Sequence, residues 1–215
     1  PTRRPSDPPE GFVQNLMASS DKNPVPSGDS NDKRVVEGGA ILLAVISALY
    51  DESQWSQLTT ALTDASKRDG SGILALDDQY NERQDDGTYS NIEDANATIG
   101  CADETDRPTM AQARVLQPQW RASNPLFGGS AASSLGFCSV WKAPPDMPIT
   151  VTDSGAPTVL VVGTTGDPAT PISGAKHLAA LPGSGDLLTW EGDGHTAYPK
   201  TTCVTNDVDN SLIDL

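Results

Sequence analysis

Two short runs, Thr158-Val-Leu-Val-Val-Gly163 and Asp186-Leu-Leu-Thr-Trp190, decide how this chain is read. The first is a continuous apolar, β-branched stretch, the pattern of a strand buried on both faces. The second reads as another strand. Between them, Pro171 to Leu181 reads as a helix, with Thr170 as N-cap and Pro171 at the first helical position. Strand, loop, helix, strand and loop make one βαβ unit, whose strands should run parallel with a right-handed crossover. Function in such sheets gathers at the carboxyl ends of the strands. The loops that fall there are Gly163-Thr-Thr-Gly-Asp-Pro-Ala-Thr-Pro171 and Gly192-Asp-Gly-His-Thr196.

Those loops bring Asp167 and His195 to one sheet edge. A carboxylate there accepts the imidazole Nδ1–H, fixes the tautomer and stabilises the imidazolium formed when Nε2 takes a proton. Flanking glycines let the backbone turn sharply enough to present both side chains. Taken singly, Asp167 reads as a turn cap and His195 as a loop histidine; their order and shared edge favour the pair. Thr170 lies three residues beyond the acid. Its hydroxyl is expected to hydrogen-bond the Asp167 carboxylate besides capping the helix, and so to steady the aim of the acid.

Outward from this unit the sequence changes character at Pro148. Residues 1–34 are rich in Pro, Ser, Asp and Asn, and read as an extended or mobile leading segment. Residues 35–147 read as helical, acidic and loop-rich, and 148–215 as the βαβ part. Val35 to Tyr50 suggests a buried helix with Gly38 and Gly39 allowing close packing. Asp51 with Gln54 resembles a capping box. Trp55, Leu58, Leu62 and Ala65 form an amphipathic stripe ending near Gly70. Ile73–Tyr80 and Thr109–Arg121 suggest further helices, Asp85-Asp86-Gly87 a turn, and Asn91–Gly100 is ambiguous.

Fourteen basic against 29 acidic residues leave a net charge of −15. Such a surface repels phosphate backbones and anionic lipids, which argues against nucleic acid and membrane surfaces as partners. The longest apolar run, near Ala40–Leu49, is far shorter than the roughly 20 residues that span a bilayer, so no transmembrane segment is expected. Hydrophobic residues make up only 36%, beside 19 glycines and 17 prolines, so the core is thin and loops are many. With two histidines and no Cys-x-x-Cys pair, no metal site is expected. Asp77-Asp78, Asp85-Asp86 and Asp207-x-Asp209 lack the alternation of a calcium loop. His177 reads as a solvated residue of the crossover helix, and Trp55, Trp120 and Trp141 as core. Three cysteines suggest one bridge plus one Cys whose partner lies elsewhere, in an oxidising compartment, or three reduced core residues.

The stretches around Asp167 and His195, with Leu188-Thr-Trp-Glu-Gly-Asp-Gly-His-Thr-Ala-Tyr198, resemble actinobacterial secreted α/β-hydrolases, the tripeptidyl-aminopeptidase-like serine proteases. The likeness is specific over 148–215 and looser over 35–141, where Ala48-Leu-Tyr-Asp51 and Ile99-Gly-Cys-Ala-Asp103 resemble the family's lid. It implies an α/β fold: the last strands of a parallel α/β-hydrolase sheet preceded by a helical lid or cap. It further implies Asp167 as triad acid, His195 as triad base, no cofactor, peptide substrates cut near their N-termini, and a secreted or cell-envelope setting. Cys101 and Cys138 would be paired, and Cys203 would find its partner beyond this chain. One element departs from the pattern. The family's serine stands in a Gly-x-Ser-x-Gly elbow, and neither Gly28-Asp-Ser-Asn-Asp32 nor Gly129-Ser-Ala-Ala132 supplies it. The elbow is therefore expected upstream of Pro1, in an N-terminal half that partners this chain, which alone should be inactive. An esterase on the same scaffold and a non-catalytic lid or binding module are the rival readings.

Overall fold

The computed structural model describes residues 9–144, 158–181 and 185–213. They gather into two compact units, one of residues 9–45 and 57–144, the other of 46–56 with 158–181 and 185–213.

In the first unit, helix α1 (Pro9–Lys22) buries Val13, Leu16 and Ser20, a stripe at helical spacing. Over residues 9–22 a helix thus stands where the sequence suggests an extended or mobile segment. One apolar stripe suffices to seat a helix, although the polar average of the segment hides it. Strand β1 (Val25–Pro26) pairs antiparallel with β2 (Val35–Val36). Arg34 beside this ribbon bonds Asp32 at 2.7 Å and Asp78 at 3.0 Å, holding the Asp32 carboxyl at about 2. Because Val35 and Val36 are used in the ribbon, helix α2 (Gly38–Leu49) starts later than the apolar run suggests. Its Gly38 N–H donates to Asp21 Oδ1 at 2.8 Å, and a Cβ at Gly38 would sit 2.7 Å from that oxygen. Gly39 has open space around it, so close packing explains only one of the two glycines.

Helix α3 (Trp55–Ser66) buries Ala61, Leu62 and Ala65, and α4 (Ser71–Tyr80) buries Ile73, Leu74 and Leu76. The ambiguous stretch is helical as α5 (Ile92–Asp103). Helix α6 (Met110–Ser123) opens with a capping box between Thr109 and Gln112. Helix α7 (Gly128–Ser134) lies so close on α6 that a Cβ at Gly128 would fall 2.0 Å from the Trp120 carbonyl oxygen. A disulfide joins Cys101 in α5 to Cys138, just past α7. Arg107 ties the same region by donating to the carbonyls of Cys101 and Ala143, each at 2.6 Å. The three tryptophans expected in a core are not there: Trp55 is exposed, and Trp120 and Trp141 are half-buried.

The second unit holds β3 (Val159–Gly166), α8 (Ile172–Ala179), β4 (Gly185–Asp193) and α9 (Thr202–Ile213). Strands β3 and β4 pair in parallel from Val159↔Gly185 to Thr164↔Trp190, after which the register slips before Gly166↔Asp193. The chain is therefore of α/β type here, as its apolar runs indicate. Gly163 is what lets α8 approach β3, since a Cβ there would meet Ile172 Cδ1 at 2.5 Å and Ala175 Cβ at 2.8 Å. Thr170 does not cap α8. Pro171 occupies the cap position in extended geometry (ψ 141°), without a side-chain bond. The boundary expected at Pro148 lies outside the described residues, and residues 46–56 group with β3 and β4 rather than with the 35–147 region. Within that segment Asp51 accepts from Ser53 N–H at 2.9 Å, but the Gln54 side-chain oxygen has no partner among the described residues, so the reciprocal half of a capping box does not form.

Candidate active site

Both expected site loops leave the carboxyl ends of β3 and β4, and the slipped register turns them toward each other. Thr165 Oγ, at the slip, accepts from Gly192 N–H at 3.1 Å and donates to Gly192 O at 3.3 Å, which replaces ladder bonds the bulge removes. Asp167 and His195, 28 residues apart in sequence, meet directly: imidazole Nδ1 lies 3.0 Å from Oδ1 and 3.1 Å from Oδ2.

The carboxylate is fully committed. Its Oδ1 accepts from the Ala169 and Thr170 amides at 2.9 and 2.8 Å. Its Oδ2 accepts from Thr170 Oγ at 2.9 Å and the Thr196 amide at 3.1 Å. Burial, with the side chain only 3% exposed, pushes the carboxyl upward, but these donors together outweigh it and hold Asp167 well below the usual carboxylate range. Asp167 therefore stays ionised at neutral pH. A cavity of about 660 Å³ beside it, lined by Val161, Gly163, Pro171, Leu178 and Ala197, supplies the apolar flank.

Within the site, backbone strain falls beside His195. Thr196 sits at φ +63°, a left-handed conformation uncommon for a β-branched residue, and this aims its amide at Oδ2. Gly194 at φ +96° makes the preceding turn, where its N–H reaches Gly166 O at 3.3 Å. His195 keeps 30% of its side chain exposed. With Nδ1 donating to the ionised acid, Nε2 is left as the accepting nitrogen, and no hydrogen bond to it is seen among the described residues. Such a pair can take a proton from a hydroxyl brought to Nε2 and hold the resulting imidazolium.

Thr170 thus bonds the acid as expected while leaving the helix uncapped. Cys101 and Cys138 are bonded, and Cys203 is exposed with a free thiol. His177 is exposed on α8, away from any described partner. Among the described residues no group of three or more His, Cys, Asp or Glu could hold a metal ion, and no helix is long and apolar enough to cross a membrane. The amides of Ala169, Thr170 and Thr196 carry no signal in the sequence as parts of the site. Side-chain chemistry carries no signal for an amide, although Pro168 and Gly194 mark where the backbone is forced to turn.

Residues 124–214 match the α/β-hydrolase family described as TAP-like protein. The serine protease Hip1 of Mycobacterium tuberculosis, like that of Mycobacterium bovis, is 35% identical over 194 residues, covering 86% of this chain and 36% of that protein. Carboxylesterase B of Mycobacterium tuberculosis is 33% identical over 198 residues, covering 87% of this chain and 37% of that protein. The chain spans just over a third of the length of these relatives. Its β3–α8–β4 unit, the loops that hold Asp167 and His195, and its likeness to these proteins make the chain a member of the TAP-like family of α/β-hydrolases.

Proposed function

We propose that this chain is the acid–base portion of a secreted or cell-envelope serine peptidase that releases short peptides from N-termini. Asp167 serves as triad acid and His195 as triad base. The observation that carries this reading is the Asp167–His195 pair itself, a buried carboxylate on Nδ1 of a histidine that keeps 30% of its side chain exposed. A triad of this kind needs no cofactor. The nucleophilic serine belongs to a Gly-x-Ser-x-Gly elbow in an N-terminal portion of the same enzyme, since the chain contains no such elbow. The helical region 35–147 acts as the lid, and its acidic residues suit a substrate α-ammonium. The Cys101–Cys138 bridge supports an oxidising compartment.

Hydrolysis of carboxylic esters is the second reading, favoured by the likeness to carboxylesterase B. The pair serves both chemistries because each passes through a tetrahedral oxyanion. Profiling the full-length protein against N-terminal peptide substrates and short-chain esters separates them. Peptide turnover exceeding ester turnover in kcat/KM supports the peptidase, the reverse supports the esterase, and turnover of neither refutes both and leaves a binding module.

A further inference from the structure

The motif Ala48-Leu-Tyr-Asp51 belongs by sequence to the helical region, yet Tyr50 lies under His195. The His195 amide donates to the Tyr50 carbonyl oxygen at 2.9 Å. The two rings meet edge to face, their centroids 5.1 Å apart and their planes inclined at 67°. Gly194 makes the approach feasible, because a Cβ there would stand 2.8 Å from the Tyr50 oxygen. The hydrogen-bond partners seen for the imidazole, the Asp167 carboxylate and, at 3.4 Å, the Thr170 hydroxyl, all meet it at Nδ1. Hydrogen bonding at one nitrogen leaves a ring free to tilt about it; an aromatic contact on the ring itself restricts that freedom.

We infer that Tyr50 is a positioning residue for His195: its carbonyl sets the main chain of the base, and its ring fixes the imidazole plane that aims Nε2. This rests on the reading of His195 as a general base. Aim matters because proton transfer needs the accepting nitrogen within about 3 Å of the hydroxyl and properly oriented. The tyrosine hydroxyl has no part in this assignment. The ring does the work, and the carbonyl contact survives any side-chain replacement.

The test is steady-state hydrolysis by the full-length protein carrying Tyr50→Leu, Tyr50→Phe, Gly194→Ala or His195→Ala. Tyr50→Leu keeps an apolar side chain of reduced volume and removes the aromatic contact. It should lower kcat about three- to tenfold with KM within about twofold, the range an aromatic pair spans when expressed as a rate. Tyr50→Phe should restore most of that loss. Gly194→Ala should lower kcat at least as much as Tyr50→Leu, through the carbonyl contact. In ¹⁵N-labelled protein the His195 ring resonances should shift in Tyr50→Leu and stay near their native positions in Tyr50→Phe, which reads ring placement without turnover. Equal kcat in wild type and Tyr50→Leu, or equal losses in the Leu and Phe variants, overturns the inference. Retention of activity by His195→Ala overturns the reading of the base instead, so the two failures are distinguishable.

Discussion

Replacing Asp167 by Asn changes almost no volume and removes one charge, and the structure says where the damage falls. The carboxylate faces five donors: the amides of Ala169, Thr170 and Thr196, the Thr170 hydroxyl and His195 Nδ1. Asparagine offers one oxygen and one NH₂ group. With NH₂ at the Oδ1 position, two backbone N–H groups meet a donor. With NH₂ at Oδ2, only the Thr196 amide does, because the Thr170 hydroxyl can turn and accept. The second arrangement is cheaper and leaves one amide unpaired, a cost of about 1–3 kcal/mol in stability. Catalysis suffers far more. The NH₂ then points at Nδ1, which favours the tautomer with the proton on Nε2, and no anion remains to stabilise an imidazolium. Loss of the acid in a Ser-His-Asp triad by the same replacement lowers kcat about 10⁴-fold, or about 5.5 kcal/mol in the barrier. Urea denaturation and single-turnover kinetics of full-length Asp167→Asn measure the two quantities separately. A rate loss under about tenfold in a stably folded variant refutes the role given to Asp167.

Further outcomes follow from the same contacts. Thr170→Val deletes the 2.9 Å bond to Oδ2 but leaves both loop amides in place, so kcat should fall about tenfold while the thermal midpoint stays nearly unchanged; unchanged kinetics would leave Thr170 without a part in aiming the acid. Because folding holds Asp167 below its unfolded value of about 3.9, its contribution to stability is complete above that pH and is lost as pH falls further toward the folded value. The stability gap between wild type and Asp167→Asn should accordingly narrow below about pH 4, and a constant gap would contradict the hydrogen-bond account. Alkylation followed by intact-mass measurement of this chain should find one reactive thiol without reductant and three with it. Closing 37 residues by the Cys101–Cys138 bridge contributes about 4 kcal/mol through unfolded-chain entropy, so reduction should lower the denaturation midpoint.

The βαβ unit was legible because the five-residue, largely β-branched run Thr158–Val162 has few other uses, and because Pro157 and Gly163 bound it. Asp167 and His195 were legible from the same topology: once two parallel strands are placed, their loops share an edge. The double use foreseen for Thr170 failed in one half, since a hydroxyl turned to a buried carboxylate is not available to an amide of α8. The length of helix α1 was hidden by composition: Phe12, Val13, Leu16 and Met17 mark one apolar turn, but polar neighbours outnumber them along the rest of the helix. Helix α7 was hidden for another reason: Gly128-Gly-Ser-Ala-Ala-Ser-Ser134 has weak helix propensity, and its close seat on α6 overrides that. Tyr50 could not be read at all. No periodicity links it to a histidine far along the chain; only the folded backbone carries that contact.

The central claim is that Asp167 and His195 activate a serine that these 215 residues do not supply, and active-site labelling tests it most directly. Full-length protein treated with a fluorophosphonate probe, digested and sequenced by mass spectrometry should carry the label on a serine of a Gly-x-Ser-x-Gly elbow outside Pro1–Leu215, and His195→Ala should abolish the labelling. A labelled serine within this chain, or labelling that survives His195→Ala, would contradict the account.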